Sequence, residues 1–112
     1  MFTKKKHELA CKIWIEHEGK PILGKGGAQI LEQIEKDKSI SKVAKNLGMS
    51  YRYVWNYLKR MEKALGEQVV ETYRGGKWGG GGARLTTLGK ELLKEYKRAE
   101  NCLNRVLTVK KH

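Results

Sequence analysis

The stretch Ser39–Met61, SISKVAKNLGMSYRYVWNYLKRM, constrains the fold more than any other part of this chain. It reads as two short helices joined by a tight turn. The first is predicted from Ile40 to about Leu47, with Ser39 or Ser41 as its cap, because a serine oxygen accepts a backbone N–H that a helix start leaves unpaired. Gly48 supplies the left-handed conformation that stops the helix and turns the chain. Ser50 has the chemistry to cap a second helix, from Tyr51 to about Ala64. Ala44 is small enough for two helices to cross closely, and Val54 packs from the second one. This is the helix-turn-helix pattern, whose second helix enters the DNA major groove. An ordinary helical hairpin with a solvated basic face is the alternative.

Charge follows the same segment. Lys42, Lys45, Arg52, Lys59 and Arg60 lie between residues 39 and 60 with no acidic residue among them. A second excess, Arg74, Lys77 and Arg84, again without an acid, falls at 74–84. The whole chain carries a formal charge of +12 over 112 residues, a balance that favours polyanionic partners through attraction and counterion release. That length suits one domain with an extension. Two distant cysteines, Cys11 and Cys102, argue for a reducing compartment rather than a disulfide framework. No stretch has the length and apolarity of a membrane span, and charges interrupt the N-terminal region where a signal peptide would need an apolar core. A cytoplasmic location and no membrane partner are therefore expected.

Three parts are expected along the chain: an N-terminal tail and strand or hairpin at 1–26, a core at 27–86, and a C-terminal helix at 87–112. Residues 1–9 read as a solvated tail. Cys11–Glu18 alternates, with Cys11, Ile13 and Ile15 on one side and Lys12, Trp14 and Glu16 on the other, which suits a strand. Glu18-Gly19 makes a turn, and Pro21–Leu23 returns as a short edge strand. A helix from Gly27 or Ala28 to about Lys36 puts Ile30, Leu31 and Ile34 on one face, and Asp37-Lys38 links it to Ser39. On the motif's second helix (39–64 in all), Val54, Trp55, Leu58 and Met61 form an apolar stripe, with Trp55 read as core. The other face carries Tyr51, Arg52, Tyr53, Asn56, Tyr57 and Arg60. Arginine and asparagine suit base edges, tyrosine a phosphate or a thymine methyl.

Gln68–Tyr73 has strand character. The glycine-rich run after it, six glycines in eight positions from 75 to 82, predicts a loop between two strands, a wing at 69–86. Arg74, Lys77 and Arg84 would charge that wing, and Trp78 at its tip is either a minor-groove wedge or incidental. A nucleotide phosphate loop is excluded by Trp78, since Lys77 lacks the following Ser or Thr. Thr86 or Thr87 then caps a long helix, Leu88 to about Val109. Leu92, Tyr96, Ala99, Leu103 and Val106 recur at heptad spacing. About 20 residues extend roughly 30 Å, longer than a small core needs, so the seam points to the same helix of a second chain. A helix folded back on its own domain is the alternative.

From about Gly27 to Tyr96 the chain resembles the DNA-binding domain of the molybdate-responsive ModE-type regulators, relatives of the LysR-type winged-helix domain. The residues that carry the resemblance are Ser39–Ala44 with Gly48, Met49-Ser-Tyr51 with Trp55 and Met61, Val70-Glu71, the GGKWGGGGAR run, and Leu85-Thr86-x-x-Gly89. The resemblance implies a dimeric winged helix-turn-helix regulator that reads the major groove from Ser50-Tyr51 onward and whose terminal helices pair. The family's C-terminal molybdate-binding domains have no counterpart in these 112 residues, so molybdate is not an expected ligand. Tyr53, Tyr57 and Trp78 depart from the expected pattern, and the operator does not carry over.

No catalytic constellation is evident among His7, His17 and His112, and His7 with Cys11 is too small a set for structural zinc. No enzyme activity, metal or cofactor is expected. The chain therefore reads as mainly α with a small β wing. Its expected function is a homodimeric, sequence-specific regulator of transcription on double-stranded DNA. The expected contacts are Lys42, Ser50, Tyr51, Arg52, Tyr53, Asn56, Tyr57, Arg60, Arg74, Lys77, Trp78 and Arg84. A winged-helix protein adaptor or a non-specific architectural binder is the competing reading.

Overall fold

The computed structural model describes residues 7–74 and 81–109. Three helices, α1 (Lys25–Asp37), α2 (Ile40–Leu47) and α3 (Tyr51–Leu65), build the centre of the molecule. The hairpin β1 (Ile15–His17) with β2 (Lys20–Leu23) precedes them, and a second hairpin, β3 (Val70–Tyr73) with β4 (Gly82–Leu85), follows. The long helix α4 (Thr87–Val109) completes the chain. The result is a mainly helical winged helix-turn-helix domain, as the sequence predicts.

Local chemistry accounts for the helix boundaries. Ser39, rather than Ser41, caps α2, its Oγ accepting from Lys42 N at 3.3 Å. Gly48 stands at φ 68°, and Met49 N donates to Ala44 O at 2.9 Å, closing the turn. Ser50 Oγ accepts from Tyr53 N at 3.0 Å and starts α3. The α1–α2 link holds a surprise in Lys38, which ends α1 at φ 58°. A left-handed non-glycine residue costs roughly 1–2 kcal/mol. Here it lets Lys38 N reach Ile34 O and Lys38 O accept from Ala83 N, both at 2.9 Å.

The core gathers one face of every helix. Ile30, Leu31 and Ile34 of α1, Val43 of α2, and Val54, Leu58 and Met61 of α3 are buried together with Val70, Ala83 and Leu85 of the second hairpin. In that hairpin Val70 stands opposite Leu85 and Thr72 opposite Ala83; Val70, Ala83 and Leu85 are buried, while Thr72 is exposed. The first hairpin is shorter than the expected strand over 11–18. Ile15 pairs with Leu23, after which the chain turns into α1, leaving residues 11–14 without a partner strand. Ile13 and Ile15 still lean on the core. Pro21 is tolerated because both strands of a two-stranded sheet are edges.

Thr86, rather than Thr87, organises the start of α4. Its N–H donates to Val69 O at 2.9 Å and its hydroxyl to Gln68 O at 2.8 Å, while the same oxygen accepts from Gly89 N at 3.1 Å. Gly89 is buried, and a Cβ there would collide with the Val69 carbonyl. The spacing of Leu-Thr-x-x-Gly thus brings a cap and a close helix–strand approach to one point.

The heptad seam of α4 is divided between the domain's own core and a more exposed half. Leu92 and Tyr96 are only 8% and 4% exposed and belong to the core of their own domain. Ala99 and Val106 are exposed and Leu103 half-buried. The pattern was ambiguous because an apolar stripe looks the same whether it packs on its own chain or on another. Across the docked half, Lys97 Nζ meets Glu32 Oε2 at 2.6 Å. That contact lowers the Glu32 pKa and raises that of Lys97.

Two outcomes follow. Gly89→Ala forces α4 off β3 and lowers stability by about 1–3 kcal/mol, read as a fall in the denaturation midpoint. The Glu32–Lys97 pair is exposed enough that Glu32→Gln costs only about 0.2–1 kcal/mol at neutral pH. A depressed carboxylate pKa contributes stability above its unfolded value and loses it as pH falls through the folded one. The difference between wild type and Glu32→Gln therefore disappears in acid, checked by thermal melts across pH.

Candidate nucleic-acid interface

The Ser50 cap sets where α3 begins, and Val54, Leu58 and Met61 set how it is rotated. What remains outward is a continuous polar face. Arg52, Asn56 and Arg60 are exposed there, as expected, and so are Lys59 and Lys63. The last two were absent from the expected contacts. Their signal was available, since they continue the row from Arg52 and Asn56 at helical spacing. Tyr51 and Tyr53, about half exposed, flank this face at its N-terminal end. Ser50 is exposed but committed to its cap, and Lys42 is exposed on α2.

Trp55 is half-buried and packs against the core from one flank. The Tyr51 ring stacks beside it at 6.2 Å and 12°, and Lys59 Nζ lies 4.4 Å from the indole centroid. Tyrosine, tryptophan and lysine therefore form a column along the helix, its cation attracted by the ring face.

Tyr57, expected as a DNA contact, turns the other way. Its hydroxyl accepts from Gly24 N at 3.3 Å, and its ring covers Gly27 so closely that a Cβ would overlap it. The Arg60 guanidinium sits 5.7 Å from that ring. Tyr57 thus bolts α3 to the start of α1 and steadies Arg60 from behind. Its place beside the apolar stripe signals half burial, but the glycine it covers lies thirty residues away and leaves no local mark.

The wing base is tied to α3 by Glu62. One carboxylate oxygen accepts from Val69 N at 2.9 Å and Val70 N at 3.2 Å, and the other meets Lys59 Nζ at 3.2 Å. On the hairpin's outer face Arg84 is engaged rather than free. Its Nε meets Glu71 Oε1 at 2.6 Å and its guanidinium lies 5.3 Å from the Tyr73 ring. The Glu71 hydrogen bond raises the Arg84 pKa further, keeping it charged. Arg74 is exposed at the end of β3, while Lys77 and Trp78 fall outside the described residues. Among the described residues, no group of three His, Cys, Asp or Glu side chains is placed to hold a metal ion. Cys11 and Cys102 are free and exposed. No described helix is long and apolar enough to cross a membrane.

A helix-turn-helix whose second helix presents arginine, asparagine and lysine, with a hairpin pinned beside it, is the DNA-binding architecture of bacterial regulators. Residues 27–90 match the model of the bacterial regulatory helix-turn-helix protein, lysR family, and the chain belongs to that family. It is 43% identical over 67 residues to the transcriptional regulator ModE of Yersinia pestis, covering 60% of this chain and 25% of that protein. The DNA-binding transcriptional dual regulator ModE of Escherichia coli K12 is 40% identical, with the same coverage. The molybdenum-pterin-binding protein MopA of Rhodobacter capsulatus is 28% identical across 90% of this chain and 38% of its own length. The chain thus spans only a quarter to two-fifths of these relatives. In fold it is similar to an OxyR mutant of Corynebacterium glutamicum, with a TM-score of 0.52 at 21% identity over 76% of this chain and 25% of that one.

The inward turn of Tyr57 separates stability from recognition. Tyr57→Phe deletes its one hydrogen bond and costs about 0.5–1.5 kcal/mol of stability. DNA affinity at fixed salt stays unchanged, as thermal melts and fluorescence anisotropy on the same sample would record.

Proposed function

We propose that this chain is a sequence-specific regulator of transcription that binds double-stranded DNA as a homodimer. The observation that carries the reading is the outward face of α3, where Arg52, Asn56 and Arg60 stand exposed on a helix whose register is held from three sides. Arginine offers a fork to guanine and asparagine a matched pair to adenine. Lys42, Lys59, Lys63 and Arg74 supply charge for the phosphate backbone. The β3–β4 wing lies along the neighbouring backbone or groove, and Lys77 and Trp78, outside the described residues, are counted with its contacts from the sequence. Ala99, Leu103 and Val106 form the dimer edge, with Leu92 and Tyr96 withdrawn from it. Two-fold symmetry then sets half-sites roughly 34–36 Å apart.

In this reading the chain works in the cytoplasm, with neither enzyme activity nor a cofactor. Molybdate binding is assigned to none of the residues here. The molybdenum names of its relatives belong to proteins of which this chain matches the smaller part.

The test is fluorescence anisotropy on the fragment upstream of the chain's own gene against a scrambled duplex, over a salt series. Arg52→Ala and Asn56→Ala each remove about 1–3 kcal/mol of preference for the native fragment. Lys42→Ala weakens both duplexes alike and lowers the salt slope by about 0.9. Equal losses on both duplexes from Arg52→Ala would sink the recognition-helix assignment. Tight binding to a protein partner without salt-dependent DNA binding would favour an adaptor instead.

A further inference from the structure

A groove of about 600 Å³ runs between the first hairpin and the C-terminal half of α3. Ile22, Leu23 and Met61 give it an apolar lining, and Trp14, 54% exposed, also lines it. Its charged lining residues are Lys20, Arg60 and Lys63, all cations. The nearby Glu16 is not among the lining residues, and its carboxylate accepts the Trp14 indole N–H at 2.8 Å. The volume falls within the range of roughly 300–1,000 Å³ typical of small-ligand sites, which pair an apolar lining with a few placed polar groups.

We propose that this groove binds a small organic anion, an apolar ring system bearing one acidic group, and that its occupancy withdraws Arg60 from DNA. The apolar lining and Trp14 suit the ring, and the three cations suit the acid. A DNA backbone is the poorer occupant. A phosphodiester has no use for the apolar floor that Ile22, Leu23 and Met61 provide. Arg60 is the point of coupling. It lines the groove, rests near the Tyr57 ring and is exposed on the proposed DNA face. A guanidinium drawn into the groove toward a bound carboxylate is turned away from the DNA face. Ligand and DNA therefore weaken each other's binding reciprocally. This antagonism rests on the DNA-binding reading; the binding of the anion does not.

The experiment titrates the full chain with 8-anilinonaphthalene-1-sulfonate and with N-phenyl-1-naphthylamine, the same ring system without the sulfonate. One sulfonate dye binds per chain, and the neutral amine binds roughly tenfold more weakly. Lys63→Gln weakens the sulfonate about tenfold and leaves the amine unchanged. Ala64→Trp, which fills the groove, abolishes both at an unchanged circular dichroism spectrum. Should that variant fail to fold, Trp14→Ala replaces it and weakens both dyes. Equal affinity for the two dyes, or sulfonate binding indifferent to these substitutions, overturns the site. Adding the preferred duplex displaces the dye, and dye retained on the protein–DNA complex overturns the antagonism. Absence of any specific duplex would instead defeat the proposed function, and the dye titration would stand by itself.

Discussion

The Glu62 carboxylate decides what the rest of the molecule can present. It sits on α3, the helix with the recognition face, and captures the N–H groups of Val69 and Val70 just as the chain enters β3. A carboxylate accepting two backbone donors makes charge-assisted bonds that neutral groups do not match. Recognition helix and wing are thereby joined within four residues of the helix end. Ala83 N, held by Lys38 O, fixes the other strand of the wing to the α1–α2 link. Thr86 then hands the wing on to α4. The wing is thus anchored at three points of its base.

The same economy appears on the opposite flank of α3. Tyr57 fills the space over Gly27 and reaches Gly24, so the first hairpin and α1 bear on the recognition helix through one aromatic ring. The outward face of α3 is therefore held from both sides, by an acid toward the wing and by a tyrosine toward the N-terminal hairpin. Preorganisation of this kind lowers the entropy lost when side chains such as Arg60 and Asn56 engage a partner.

Much of this was legible from residue order. The serine caps, Gly48, the α1 and α3 stripes, the wing strands and the start of α4 near Thr86 are local features, governed by neighbours within four residues. The exposed cations of α3 follow from the same periodicity, including Lys59 and Lys63, which spacing alone would have added. What escaped was set by distant partners. Tyr57 borders the apolar stripe in sequence, and only Gly27, packed against its ring, fixes its inward turn. Trp55 packs against the core, as its place in the stripe implies, but its stacking with Tyr51 and Lys59 is visible only in the structure. Arg84 looked free until strand register set it opposite Glu71.

Local sequence by itself determined the helix-turn-helix, the presence of the two hairpins and the sign of the charge on the outward face, because caps, turns and helical periodicity act over a few residues. Tertiary structure alone decided the allegiance of each amphipathic side chain. Leu92 and Tyr96 obey the same heptad as Leu103 and Val106, yet only the first two are buried in the core of their own domain. Hydrophobic burial is non-directional: a stripe demands cover, and only the packing of the chain says what provides it.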